Sequence, residues 1–277
     1  MPTNWSNISR PAERINVFIC AALLTVGFLT GAPERALSQG TCLQPGQTKD
    51  ADIRRNTAAL AGFCITEHTF SEGGINWLVY TLKGSRPGPM WAVPHDNEDA
   101  ALIAAIRAAR KYGGNIATVE SGNSRFYNGI DTNRNFSTAA RCPGGRGPSP
   151  KYTRAFLSAG GSPVISIHTN ANGPGGNMWA SVNTSSLKGF PSASAKGGLA
   201  DQDSFILVPG RQVNQAAVKR FNQRGAHVVA EIISAANNDC SLSNYLVLAG
   251  RPNYFTVEAQ HGNTSALLAL IDIVMGR

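Results

Sequence analysis

No Gly-x-Ser-x-Gly elbow, Walker loop or dinucleotide fingerprint occurs anywhere in this chain. A serine hydrolase of that type, a P-loop enzyme and a nicotinamide dehydrogenase therefore have no foothold in it. No two cysteines stand at Cys-x-x-Cys spacing, which disfavours a thiolate zinc site. Lys and Arg occur singly or in pairs (Arg54-Arg55, Arg110-Lys111, Lys219-Arg220) and never as a tract. With no recognised nucleic-acid module either, the reading carries no nucleic-acid partner. Only Ile15–Thr30 is apolar enough to approach a bilayer span, and no repeat or linker divides the 277 residues. A single domain is the expectation.

What is present begins with an export pattern. Arg10 and Arg14 precede the apolar run Ile15–Thr30, and Ala36-Leu37-Ser38 places small residues where a signal peptidase inspects the chain. Residues 1–38 therefore read as a signal peptide and 39–277 as the working domain, secreted or periplasmic, with no stable membrane insertion after cleavage. The competing reading is an uncleaved anchor. Cleavage would remove three arginines and two glutamates, taking the formal charge from +8 to +7. A basic exported protein suits an anionic wall, a membrane surface or an acidic ligand. Cys20 leaves with the signal, and Cys42, Cys64, Cys142 and Cys240 remain, an even number that reads as two disulfides in an oxidising compartment. Three connectivities are possible; local pairing, Cys42–Cys64 with Cys142–Cys240, is the expected one.

Short β-branched and aromatic runs alternate with helical periodicity. Asn76–Leu82, Met90–Val93, Asn115–Val119, Pro163–Ile167, Phe205–Val208 and Tyr254–Val257 read as strands. Residues 97–112, 213–236 (with a break near Gly225) and 266–275 read as helices. Residues 39–62 look like a partly ordered lead-in, and Thr169–Leu199 like a long loop lining a cleft. The pattern implies an α/β fold: a mixed, mostly parallel central sheet with helices on both faces.

Chemistry gathers at the strand ends. His95 follows Met90–Val93, Glu98 opens the next helix, His168 closes PVISI, and Glu258 closes YFTV. Taken singly, each has a commonplace reading as a surface, helix-start or strand-end residue. Together, two histidines and a glutamate make a three-ligand zinc site with a fourth position open, as a catalytic zinc requires. The open ends of α/β strands are where such folds keep ligands.

The ordered set His95-x-x-Glu98, Asp131-x-Asn133-Arg134-Asn135-Phe136, His168 and Phe255-Thr256-Val257-Glu258 resembles the zinc carboxypeptidase superfamily. That group includes the pancreatic-type carboxypeptidases, murein-peptide amidases, aspartoacylases and succinylglutamate desuccinylases. The resemblance spans about residues 90–260. It implies one Zn²⁺ on His95, Glu98 and His168, a substrate carboxylate held by Asn133 and Arg134, and Glu258 as general base. Zinc polarises a carbonyl and acidifies a water, and the base must lie within a hydrogen bond of that water. The oxyanion needs a further positive group; Arg125, eight residues before Asn133, is our candidate. The guanidinium fork of Arg134 suits a carboxylate better than a lysine would. The same donors would accept cobalt or nickel.

The leading expectation is a secreted zinc hydrolase that cuts an amide next to a free carboxylate, a carboxypeptidase or peptide amidase, with cell-wall peptides as a substrate class suggested by export. An N-acyl amino-acid deacylase shares the metal site, and a non-catalytic ligand-binding relative is the third alternative. Tyr245 and Tyr254 read as packing residues, His261 as a rim residue, His68 as a surface residue, and His227 with Glu231 as a solvated pair one helical turn apart.

Overall fold

The computed structural model describes residues 42–171, 191–193, 202–251 and 253–277. The segment read as a signal peptide, and most of the glycine-rich stretch after Asn170, lie outside them. Eleven strands and six α-helices follow in chain order among the described residues. They are α1 (Ala51–Arg55), β1 (Cys64–Glu72), β2 (Ile75–Lys83), β3 (Met90–Val93), α2 (Asp99–Tyr112), β4 (Asn115–Val119), β5 (Phe126–Tyr127), β6 (Ile130–Asp131), α3 (Pro150–Leu157), β7 (Val164–Asn170), β8 (Ser192–Ala193), β9 (Phe205–Gly210), α4 (Gln215–Gln223), β10 (His227–Ile232), α5 (Leu242–Leu248), β11 (Tyr254–Gln260) and α6 (Thr264–Val274).

Nine of these strands form one sheet in the order β1-β2-β4-β3-β7-β11-β9-β10-β8. The central strands β4, β3, β7 and β11 run parallel, while β1 and β2 extend the sheet antiparallel on one side. On the other side β9 reverses against β11, β10 runs parallel to β9, and the short β8 reverses again. The fold is therefore α/β with a mixed sheet whose centre is parallel, as the alternating pattern implies. Both disulfides follow local pairing, Cys42–Cys64 and Cys142–Cys240.

The two faces carry separate apolar cores, because side chains alternate along each strand. Trp91 and Val93 of β3, Ile165 and Ile167 of β7 and Val257 and Ala259 of β11 pack with α1, α2, α4 and α6. Met90 and Ala92, Ala117 and Val119, and Tyr254 pack with α3 and α5 on the opposite face. Seven of the inward positions of α2 are Ala or Leu, so this helix lies close on the sheet. It stops at Gly113-Gly114, where Gly114 takes φ +94° and a Cβ would collide with the Pro89 carbonyl.

One expected element is overturned. Residues 213–236 do not form a long helix: α4 ends at Gln223, Gly225 takes φ +90°, and His227–Ile232 becomes a strand. The apolar run Val228-Val229-Ala230 fits either period, and β-branched residues buried between neighbouring strands favour the pleat. His227 and Glu231 consequently lie on one face of β10 rather than one turn apart on a solvated helix.

Seven elements went unread in the sequence, the two-residue strands β5, β6 and β8 among them. β1 is masked by its polar residues Glu67, His68 and Ser71, although the Gly73-Gly74 turn (φ +63° and +79°) that pairs it with β2 is a hairpin signal. α1 starts at Asp50, whose carboxylate accepts the amides of Asp52 and Ile53. α3 begins with Ser149-Pro150. α5 is capped by Ser241, which accepts the Asn244 amide.

Candidate metal centre

Chain geometry brings His95, Glu98 and His168 to one point. His95 leaves the end of β3 behind Pro94, and Glu98 is the residue before the first turn of α2. The Glu98 side chain does not cap its own helix. It turns toward β7, where one oxygen accepts the Thr169 amide at 2.9 Å. His168 alternates with Ile165 and Ile167 on β7, which puts its ring on the face away from α2. The three donors lie within 4.8 Å of one another and all three residues are buried.

The contacts have the form of a ligand set. His95 Nδ1 stands 2.8 Å from Glu98 Oε1 and 3.1 Å from His168 Nδ1, and His168 Nδ1 is 3.5 Å from Glu98 Oε2. Two nitrogens on a tetrahedral ion with bonds of ~2.0–2.1 Å would stand ~3.3–3.4 Å apart. The outer nitrogens are already engaged. His95 Nε2 lies 2.9 Å from Asp131 Oδ1, which can only accept, and His168 Nε2 lies 2.8 Å from Ser166 Oγ. This fixes Nε2–H on His95 and lets Ser166 do the same for His168, leaving both Nδ1 lone pairs facing inward. Two facing lone pairs and a buried carboxylate favour a cation between them, so the residues fit a zinc ion.

Electrostatics agree with the geometry. Burial opposes ionisation of Glu98, but the charges and hydrogen bonds of His95 and His168 outweigh it and hold its carboxyl well below the usual range. Burial likewise opposes protonation of His95, yet Glu98 and Asp131 overcome it and raise the ring above its ordinary value. In His168 burial dominates and the ring titrates lower than usual.

Asp131 opens the motif two positions before Asn133, and its role is one that the motif alone does not assign. Besides His95 it accepts Arg125 Nε at 3.0 Å and the Asn133 amide at 2.9 Å. Burial works against its charge, but His95, Arg125 and Arg134 hold its carboxyl below the ordinary range. Thr132, next in sequence, donates to the Pro94 carbonyl, and Tyr152 donates to the Thr132 carbonyl at 2.9 Å. The motif loop is thus pinned to the turn that carries His95.

Arg125 lies beside the donors, with Nη1 3.3 Å from His95 Nδ1 and 3.5 Å from Glu98 Oε1. Glu258 sits on β11 in register with His168 on the neighbouring strand. It is pushed up to about 8, first by burial and then by the charge of Glu98; Arg125, His95 and a 3.5 Å contact with Asn170 Nδ2 act in the other direction. Asn133 and Arg134 are less free. Asn133 Oδ1 accepts the Leu242 amide at 3.2 Å, and Arg134 Nε pairs with Asp239 at 2.8 Å. The Cys142–Cys240 disulfide and a Phe136 amide bond to the Cys240 carbonyl (2.9 Å) hold those two segments together.

The remaining candidates stay outside this group. Tyr254 is buried and receives the Thr256 hydroxyl, His261 is exposed and meets Thr169 Oγ1 at 2.9 Å, and His68 meets Thr81 Oγ1 at 3.0 Å on β1. Tyr245 packs against the α3–α5 core.

No family model and no curated protein matches the chain. Solved structures similar to it include one from Shewanella denitrificans described as a metallopeptidase, at 12% identity over 82% of this chain and 86% of that one, with a TM-score of 0.42. Another is bovine thrombin-activatable fibrinolysis inhibitor in complex with tick carboxypeptidase inhibitor, at 12% identity over 84% and 96%, TM-score 0.45. A third is an aspartoacylase family protein from Mesorhizobium loti, at 12% identity over 78% and 68%, TM-score 0.41.

Proposed function

We propose that this protein is a secreted zinc-dependent hydrolase that cleaves an amide bond next to a free carboxylate, as a carboxypeptidase or peptide amidase. The observation that carries the reading is the convergence of His95 Nδ1, Glu98 and His168 Nδ1, with both outer ring nitrogens engaged. A zinc ion held by these donors would supply Lewis acidity toward the scissile carbonyl and an attacking water. Glu258 takes one proton from that water as the oxygen bonds to the carbonyl carbon, then gives it to the amine nitrogen as the C–N bond breaks. Burial raises this carboxyl above its ordinary value, which makes it a stronger base for the first step. Arg125 offers a positive charge to the developing oxyanion. Arg134 holds the substrate carboxylate with its outer guanidinium edge while Nε stays on Asp239, and Asn133 shapes the same wall.

Two disulfides and the apolar N-terminal run support export, so residues 39–277 would be the mature catalytic domain and wall peptides a natural substrate class. The test uses zinc-loaded protein with peptides ending in a free carboxylate, the same peptides with amidated ends, and N-acyl amino acids. Free-ended peptides should be cleaved and capped ones resisted. Glu258→Gln should retain zinc and lose on the order of 10²–10⁴-fold in kcat. Undiminished turnover in that variant removes Glu258 from the role of base, and preference for N-acyl amino acids moves the protein to the deacylases.

A further inference from the structure

A second group of acids, whose side chains the proposed chemistry does not use, lies beside the His95 turn. Asp50 precedes α1, Asp52 is in its first turn, and Asp96 follows His95; one oxygen from each lies within 4.8 Å of the others. Exposed acidic clusters are common, but these three are only 1%, 5% and 7% exposed. Asp50 Oδ1 is occupied by the amides of Asp52 and Ile53 at 2.8 and 2.9 Å, whereas its Oδ2 is buried with no hydrogen-bond partner. Asp96 Oδ2 accepts the amides of Ser121 and Asn123 at 2.9 and 2.7 Å. Glu120 adds a fourth carboxylate against Asp96.

Nearby positive charge falls short of four acids. Arg55 pairs with Asp52 and also with the exposed Asp99 at 3.2 Å. Arg54 spends Nη1 on the carbonyls of Thr48 and Lys49 at 2.7 and 2.5 Å. An unpartnered carboxylate oxygen inside a buried, under-neutralised cluster is costly unless a cation meets it.

We propose that Asp50, Asp52 and Asp96 form a second cation site, separate from the His95 centre, that takes a hard divalent ion, calcium in preference to magnesium. Every donor is an oxygen, which excludes the softer metals that imidazole and thiolate favour. The cage is built from protein carboxylates in a buried place, which suits calcium; magnesium sheds its waters reluctantly. The ion would join α1, the turn carrying His95 and, through the Asp96 bonds to Ser121 and Asn123, the loop that carries Arg125.

The test titrates the zinc-loaded full chain, stripped of calcium with a selective chelator, with CaCl2 and in parallel with MgCl2. Bound calcium is counted by equilibrium dialysis and Tm is followed. We expect one calcium per chain and, at ~100 times Kd, a Tm rise of about 5–10 °C. Asp50→Asn keeps a side-chain oxygen for the α1 cap, so it should fold, keep its zinc and lose the bound calcium; Asp52→Asn is a second variant with the same expected loss. Calcium should also slow amide exchange at Ser121 and Asn123. Absence of bound calcium at millimolar concentration, or wild-type binding in both variants, would overturn the site.

Discussion

Replacing Asp131 by Asn isolates the charge that orients His95. The native carboxylate is 15% exposed at its side chain and serves three donors: His95 Nε2, Arg125 Nε and the Asn133 amide. An Asn can keep its oxygen on His95 and Asn133, so the loop geometry survives. Its NH2 then faces the Arg125 Nε–H, donor against donor across what was a 3.0 Å hydrogen bond. The ring also loses the anion that makes it a stronger donor toward a metal. Removing such an outer partner costs ~10–100-fold in metal affinity, or ~1.4–2.7 kcal/mol. Zinc affinity is read by competition with a chromophoric chelator, with circular dichroism confirming the fold. A folded variant with zinc affinity within twofold of wild type would refute the idea that the Asp131 charge strengthens His95 as a metal ligand.

Two other predictions concern pH. Glu231, on β10, is raised from 4.5 to about 7, first by burial and then by Asp239. A carboxyl with a raised folded value costs nothing below its unfolded value and increasingly destabilises the fold as pH climbs through that window. Glu231→Gln should therefore match wild-type stability near pH 4 and exceed it by up to ~3 kcal/mol above pH 7, measured by urea unfolding; a constant difference across this range would contradict the assignment. Because Glu98 and Asp131 raise His95, protons compete for its Nδ1. Zinc affinity, followed by chelator competition from pH 8 to pH 5, should fall, and the fall should begin above the ordinary histidine value of ~6.5. Affinity that stayed flat to pH 5 would remove His95 from the ligand set.

Much of the site was legible because its residues sit where patterns change. His95 lies at the junction of an apolar strand and an alanine-rich helix, and His168 and Glu258 close apolar runs, so the three converge once those strands are adjacent and parallel. Asp131 was harder to assign. A carboxylate in a polar loop carries no periodic signal, and its role depends on an imidazole thirty-six residues away. β10 was misread because a short buried apolar run fits two periods, and its pairing with β9 and β8 decides between them. The pairing of Arg134 with Asp239 depends on a disulfide that brings distant segments together, which spacing alone leaves open.

The most direct measurement is the metal content of the purified protein by elemental analysis, for wild type beside His168→Ala. We expect one zinc per wild-type chain, released with activity by a chelator and restored with it, and a His168→Ala chain that folds but holds little or none. A wild-type chain that hydrolyses peptides without metal, or a His168→Ala chain that binds zinc in full, would contradict that expectation.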